Sequence, residues 1–153
     1  MGRTDRASLL IHVAADDVFT ALTREDALLA WLPPHGMRGR FERFDMRQGG
    51  SYRLVLTYDD ASGSPGKTSA DADVAEVRIS SLVPGEGVMQ EIDFESDDPA
   101  FHGTMTMEWT LRSVLEGTDV EVIARNVPSG VRASDHAAGL TSSLANLAAY
   151  LEP

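Results

Sequence analysis

Cysteine is absent from the 153 residues. That excludes a disulfide framework, a thiol nucleophile and a thiolate metal site. Bases are scarce: 13 Lys and Arg stand against 24 Asp and Glu, a formal net charge of −11. Nucleic acids and anionic membranes are gripped through clustered Lys and Arg, so neither is expected as a partner. No apolar run approaches the ~20 residues of a membrane span. A signal peptide is not expected, because Leu9-Leu10-Ile11 is broken at once by His12 and followed by Asp16 and Asp17. Arg6 stands where N-myristoylation wants Ser or Thr. These absences predict a cytoplasmic protein. Long Pro/Gly/Ser tracts are also missing, so no linker divides the chain and residues 1–153 read as a single domain.

What is present is an ordinary globular mixture, 42% hydrophobic and 24% charged. A chain of this length buries roughly 70% of its unfolded surface, enough for a core without staples. Its periodicity changes along the chain. Leu9 to Ile11 read as a first strand, followed by two short helical segments before Pro33-Pro34. Val18, Phe19 and Leu22 share a face of the first helix, with Asp16 or Asp17 as the expected cap. Thr23-Arg24-Glu25-Asp26 resembles a capping box for the second, which carries Ala27, Leu28 and Trp31. From Met37 to Val127 the period is two. Tyr52, Leu54, Leu56 and Tyr58 alternate with Arg53, Val55 and Thr57; Val88, Gln90, Ile92 and Phe94 with Met89, Glu91, Asp93 and Glu95; Phe101 to Leu111 and Val120 to Ala124 repeat the period. Such alternation predicts antiparallel strands with one dry and one wet face. Glu116 to Asp119 is a hairpin signal. Leu140, Leu144, Leu147 and Leu151 then form one stripe of a long helix, which must bury it against the dry sheet face.

Three groups of residues carry a resemblance: the short-helix segment ending in Trp31, the turn Asp45-Met46-Arg47-Gln48-Gly49-Gly50, and the late run from Asp135-His136 through Gly139, Ser143-Leu144 and Asn146-Leu147 to Leu151-Glu152. Together they resemble the activator-of-heat-shock-protein-90-ATPase-like branch of the START-like, birch-pollen-allergen-like (SRPBCC) superfamily, over about Ser8 to Glu152. The resemblance implies an α+β helix-grip fold. A curved antiparallel sheet of about seven strands would surround a long C-terminal helix, with two short helices after the first strand. It also implies an apolar cavity of the kind that holds lipids, steroids or polyketide-like molecules. Two positions depart from the family: Leu140 stands where a Trp often follows the helix glycine, and Leu32 where a second Trp often follows the first. Both change the shape of a cavity, so no ligand identity carries over.

Other motifs are weaker than they look. Ala61-Ser62-Gly63-Ser64-Pro65-Gly66-Lys67-Thr68 matches a relaxed phosphate-loop pattern, but Ser69 to Val74 lead into a strand-like stretch with two acids, not a helix. A hairpin loop is expected there. His12, His35, His102 and His136 show no local metal-ligand spacing, and no metal or cofactor is expected. For His136 the resemblance implies a polar group that packs the helix start against a loop. The acid pairs Asp16-Asp17, Asp59-Asp60 and Asp97-Asp98, and the alternating Asp71 and Asp73, read as loop ends and caps. No G-x-S-x-G elbow supports a serine nucleophile. Glu76 is expected on the wet face, with Arg78 of the same parity as a partner.

The apolar set is the remaining candidate. Trp31, Phe44, Tyr52, Leu54, Tyr58, Met105, Met107, Trp109, Leu140 and Leu144 are expected to face the sheet–helix interior, either as filled core or as cavity lining. Gln90 and the hydroxyls of Tyr52 and Tyr58 would orient a guest. The expected activity is binding of a small apolar or amphipathic molecule by a monomer or homodimer, without an evident catalytic set. A polyketide cyclase/dehydratase-like enzyme and a co-chaperone-type interaction module are the alternatives that the resemblance leaves open.

Overall fold

The computed structural model describes residues 2–58, 72–94 and 97–152. The phosphate-loop-like stretch 61–68, Asp59, Asp60 and Asp71 lie outside the described residues. In chain order the elements are β1 (Arg3–Ile11), α1 (Ala15–Thr23), α2 (Glu25–Trp31), β2 (Met37–Phe44), β3 (Ser51–Tyr58), β4 (Ala72–Val83), β5 (Gly87–Phe94), β6 (Thr104–Val114), β7 (Gly117–Val127) and α3 (Ala133–Leu151). The seven strands form one antiparallel sheet in the order β1-β7-β6-β5-β4-β3-β2. The helix-grip architecture and the order of its elements are as expected from sequence.

Three irregularities set which side chains face inward. Between Phe41 and Arg43 the pairing of β2 with β3 shifts register, leaving Glu42 unopposed. A bulge of this kind inverts the parity of everything beyond it. Phe41 and Phe44, three residues apart, therefore share the inner face. The same happens in β4, where a shift between Ile79 and Ser81 puts Ile79 and Leu82 on one face. In β7 three residues separate Ala124 from Val127 while their β1 partners, Asp5 and Arg3, are two apart. Asn126, at φ 57°, absorbs the extra residue, and Ala124 and Val127 are both buried.

α3 lies against β1, α1 and α2. Leu140, Leu144 and Leu147 are buried and Leu151 is half-buried, so the predicted stripe is the helix's packing face. Full burial of each leucine stabilises the fold by about 1.5–3 kcal/mol. The N-terminal half of the helix is otherwise exposed, and His136 ties it down. His136 Nδ1 lies 2.8 Å from Asp5 Oδ2 on β1. Arg3 bonds Asp5 through Nε and Nη2 and donates from Nη2 to Val131 O at 2.6 Å. The Arg3 guanidinium and the His136 ring hold the Asp5 carboxyl below its usual range, against the opposing effect of burial. His136 thus anchors the helix start to a strand, not to a loop.

Further local expectations need correction. α1 starts after Ala14 and α2 after Arg24, and neither start has a side-chain cap. Asp16, Asp17, Glu25 and Asp26 instead sit in the first turns, where carboxylates favour the helix dipole. The Thr23 hydroxyl donates back to Phe19 O at 2.8 Å, so the capping box does not form. β6 begins at Thr104, not Phe101, because Pro99–Phe101 makes a 3₁₀ turn. Glu76 and Arg78 both face the wet side but pair with others. Arg78 bonds Asp93 and lies 3.7 Å from Glu91, while Glu76 takes Arg43 and Arg53. Other strands, not neighbours in sequence, supply the partners: Arg53 on β3, Asp93 and Glu91 on β5, and Arg43 on β2.

Candidate functional site

The eleven residues singled out in the sequence do not form one group. Trp31, Trp109, Leu140 and Leu144 belong to a buried cluster beneath α3, with Ile11, Val18, Val120, Val122 and Leu147. Trp31 Nε1 donates to Ala21 O at 2.9 Å, and its ring meets Trp109 edge-on at 5.7 Å. Tyr52, Leu54 and Met105 belong to a second buried cluster, with Val77, Ile79, Ile92, Ala124 and Val127. Tyr58 ends the same strand, half-buried, and joins neither cluster.

Phe44 and Met107 touch both clusters, as do Leu32, Phe41, Leu82 and Met46. All six are only partly buried. They form an apolar seam where the sheet's concave face passes from the α3-covered side to the β2–β5 side. Of the six, Leu32, Phe41, Met46 and Leu82 were not in the predicted set. Phe41 is hidden from a period-two reading by the Glu42 bulge, and Met46 sits in the turn after the strand. The only sequence signal for Phe41 was a second Phe three residues on, which strict alternation cannot accommodate.

Gln90 lies on this inner face, 7% exposed. Its Nε2 donates to Tyr52 Oη at 3.3 Å. Burial pushes the Tyr52 phenol up to about 12, with the Gln90 contact acting weakly in the other direction. The phenol therefore stays protonated across the physiological range. Phe41 and Phe44 flank it, with ring centroids 5.1 and 5.9 Å from that of Tyr52. Among the described residues, the other buried polar side chain is Thr118, whose hydroxyl donates to Val13 O at 2.8 Å.

Three open depressions mark other faces. One of about 230 Å³ lies between α1, α2 and the end of α3, walled by Val13, Thr20, Ala27 and Tyr150. A second, about 380 Å³, is lined by Arg3, His102, Asn126 and Ser129. The third, about 570 Å³, sits on the outer face beside Gly49, Gly50, Arg78 and Glu91. None of the three contains a residue of the predicted set.

The Asp45–Gly50 turn is architectural. Gly49 N donates to Ile79 O and Ile79 N to Gly50 O, both at 2.9 Å, so the β2–β3 connection is pinned onto β4. A Cβ on Gly50 would stand 2.3 Å from Asp45 O, which explains the glycine. On the outer face, cross-strand ion pairs occupy the charges. Arg53 spans Glu42 at 2.7 Å and Glu76 at 3.5 Å, and Arg125 meets Glu108 at 3.0 Å. No helix among the described residues is long and apolar enough to cross a membrane, and no group of three or more His, Cys, Asp or Glu there could hold a metal ion.

Comparison with known proteins adds the ancestry. Residues 12–152 match the family described as "Activator of Hsp90 ATPase homolog 1-like protein". Among solved structures, protein CV1439 from Chromobacterium violaceum is similar at 29% identity and a TM-score of 0.85, covering 98% of this chain and 97% of that one. An AHSA1-like protein from Aeromonas hydrophila shares the fold at 14% identity, a TM-score of 0.75, and 98% and 92% coverage. DynU16, a protein of the dynemicin biosynthetic locus, does so at 21% identity and a TM-score of 0.70, covering 97% of this chain and 47% of that one. No curated protein matches the sequence.

Proposed function

This chain belongs to the Activator of Hsp90 ATPase homolog 1-like family, and from that premise we propose that it binds a small apolar or amphipathic molecule against the concave face of its sheet. The observation that carries the reading is the seam of six partly buried apolar residues between two buried clusters. Apolar side chains left partly exposed beside a packed core offer surface that a guest can cover. Met46 and Met107 add adaptable, polarisable surface. The guest would lie along Phe41, Phe44 and Met107, with Tyr52 and Gln90 beneath it.

Binding without chemistry is favoured over a cyclase-type reaction by the polar inventory. Among the described residues no histidine or carboxylate is buried, and Tyr52 is held as a proton donor, not a base. The acidic excess and the ion-paired outer face support a partner that is neither nucleic acid nor anionic membrane. The test is fluorescence titration with N-phenyl-1-naphthylamine. Saturable enhancement is expected, reduced at least about tenfold in affinity by Met107→Glu, which places a charge in the seam. Leu115→Glu, at a position 98% exposed on the β6–β7 hairpin, should leave it unchanged. No saturable signal, or equal loss in both variants, overturns the proposal.

A further inference from the structure

We propose that the free edge of β2 takes up an extended acidic peptide as an added strand, along residues 37–41, with two acids flanking a large apolar residue. The inference goes beyond small-molecule binding and does not rest on it. β2 ends the sheet order, so among the described residues no strand pairs with its outer side. Alternate residues of such an edge turn their N–H and C=O groups outward, a template for another chain. Regular pairing runs from Met37 to Phe41, where the Glu42 bulge begins. A visiting strand therefore has five residues to lie against.

The chemistry of the visitor follows from the two rows of side chains along this edge. Arg38, Arg40 and Arg43 stand opposite Thr57, Val55 and Arg53 on the outer face. Met37, Gly39 and Phe41 stand opposite Tyr58, Leu56 and Leu54 on the inner one. The three arginines are exposed. Residues 38–53 hold five of the thirteen Lys and Arg but only two acids, a local charge of +3 on a chain of −11. Arg40 meets Glu42 at 3.1 Å, and Arg43 meets Glu76. Acids on alternate residues of a visiting strand would stand opposite Arg38 and Arg40, where opposite charges stabilise and like charges destabilise. The same rule excludes a second copy of β2, because antiparallel pairing about Gly39 sets Arg38 against Arg40. Between the two acids, the visitor's inward residue falls opposite Gly39. Half-buried Met37 and Phe41 flank that position. A Cβ on Gly39 would stand 3.1 Å from Pro33 and 3.3 Å from Leu29, so apolar side chains wall it. A large apolar residue there covers the glycine backbone. A nucleic acid would meet the charge but complete no ladder and cover none of the apolar row.

The test is fluorescence polarisation of a labelled peptide, Ser-Val-Glu-Phe-Glu-Val-Ser, titrated with the full chain at low salt. Saturable binding at about 100 µM or tighter is expected. About 150 mM salt should weaken it at least about threefold. The same peptide with lysine for glutamate should not bind. Arg40→Glu should weaken binding at least about tenfold, because it sets like charges opposite one another. Arg125→Glu, on the outer face of β7, should change it by less than about twofold. N-methylation separates a ladder from charge attraction alone: blocking one alternate set of peptide N–H groups should abolish binding, and blocking the other set should not. A single-stranded oligonucleotide of matched charge should not displace the peptide. The proposal is overturned by no saturable binding, by equal effects of the two N-methylated sets, by equal loss in Arg40→Glu and Arg125→Glu, or by displacement with the oligonucleotide.

Discussion

The Tyr52–Gln90 contact can be tested without any ligand, through stability. Tyr52→Phe removes the acceptor for Gln90 Nε2 and leaves that donor buried. An orphaned buried polar group costs about 1–3 kcal/mol, whereas replacing both partners by apolar groups of similar shape is nearly neutral. Tyr52→Phe and Gln90→Leu should therefore each destabilise by about 1–2 kcal/mol. The double variant should cost clearly less than their sum, with a coupling of about 1 kcal/mol. Urea unfolding reads all four proteins, and the midpoints should move without a change in slope. A second reading comes from pH. The folded phenol sits at about 12 against a reference of 10.0, so the unfolded chain loses its proton first as pH rises. Stability contributed by the protonated phenol is intact below pH 10 and falls between about pH 10 and 12 by about 1.4 kcal/mol per pH unit. Ultraviolet titration of the folded protein should show one of its three tyrosines ionising near 12, a step that Tyr52→Phe removes. Additive single costs, together with a Tyr52 phenol that titrates at its reference value of 10.0, would refute the reasoning.

Leu147→Ala empties a fully buried position under α3 and should cost about 2–5 kcal/mol, or roughly 4–20 °C in melting temperature by calorimetry. Leu115→Ala, at the exposed hairpin tip, should change the same melt by less than about 1 °C. Gly117→Ala should destabilise by about 1–3 kcal/mol in urea, because φ is +152° and the new Cβ would meet Ile11 O at 2.3 Å. Arg78 holds the Asp93 carboxyl below its usual range, so the pair stabilises above the unfolded carboxylate pKa and loses that contribution as pH falls through the folded one. Arg78→Ala should cost about 0.5 kcal/mol at pH 7 and flatten the acid side of the stability–pH curve.

Much of the architecture was legible because its signal is local. Alternation along β3 and β5 directly reports which face is wet, since an antiparallel sheet has one face on the core. The α3 leucine stripe reports its packing face for the same kind of reason. What failed to show was whatever depends on a second strand. Phe41 joins Phe44 on the inner face only through the Glu42 bulge, and a bulge is defined by the partner's register. Arg78 finds Asp93 on β5, and His136 finds Asp5 at the other end of the chain. Gln90 was placed inside correctly from parity alone, but its bond to Tyr52 required the intervening β4 to bring β3 and β5 to a common face. The split of the apolar set into two clusters was equally invisible, because it reflects where α3 lies across the sheet.

Native mass spectrometry of freshly purified protein, with and without added N-phenyl-1-naphthylamine, tests the central claim most directly. The account predicts a one-to-one adduct on the 16.5 kDa chain, either carried through purification or formed with the dye, and its loss in Met107→Glu. Bare chain throughout, with a folded spectrum and no uptake of the dye at any concentration, would contradict it.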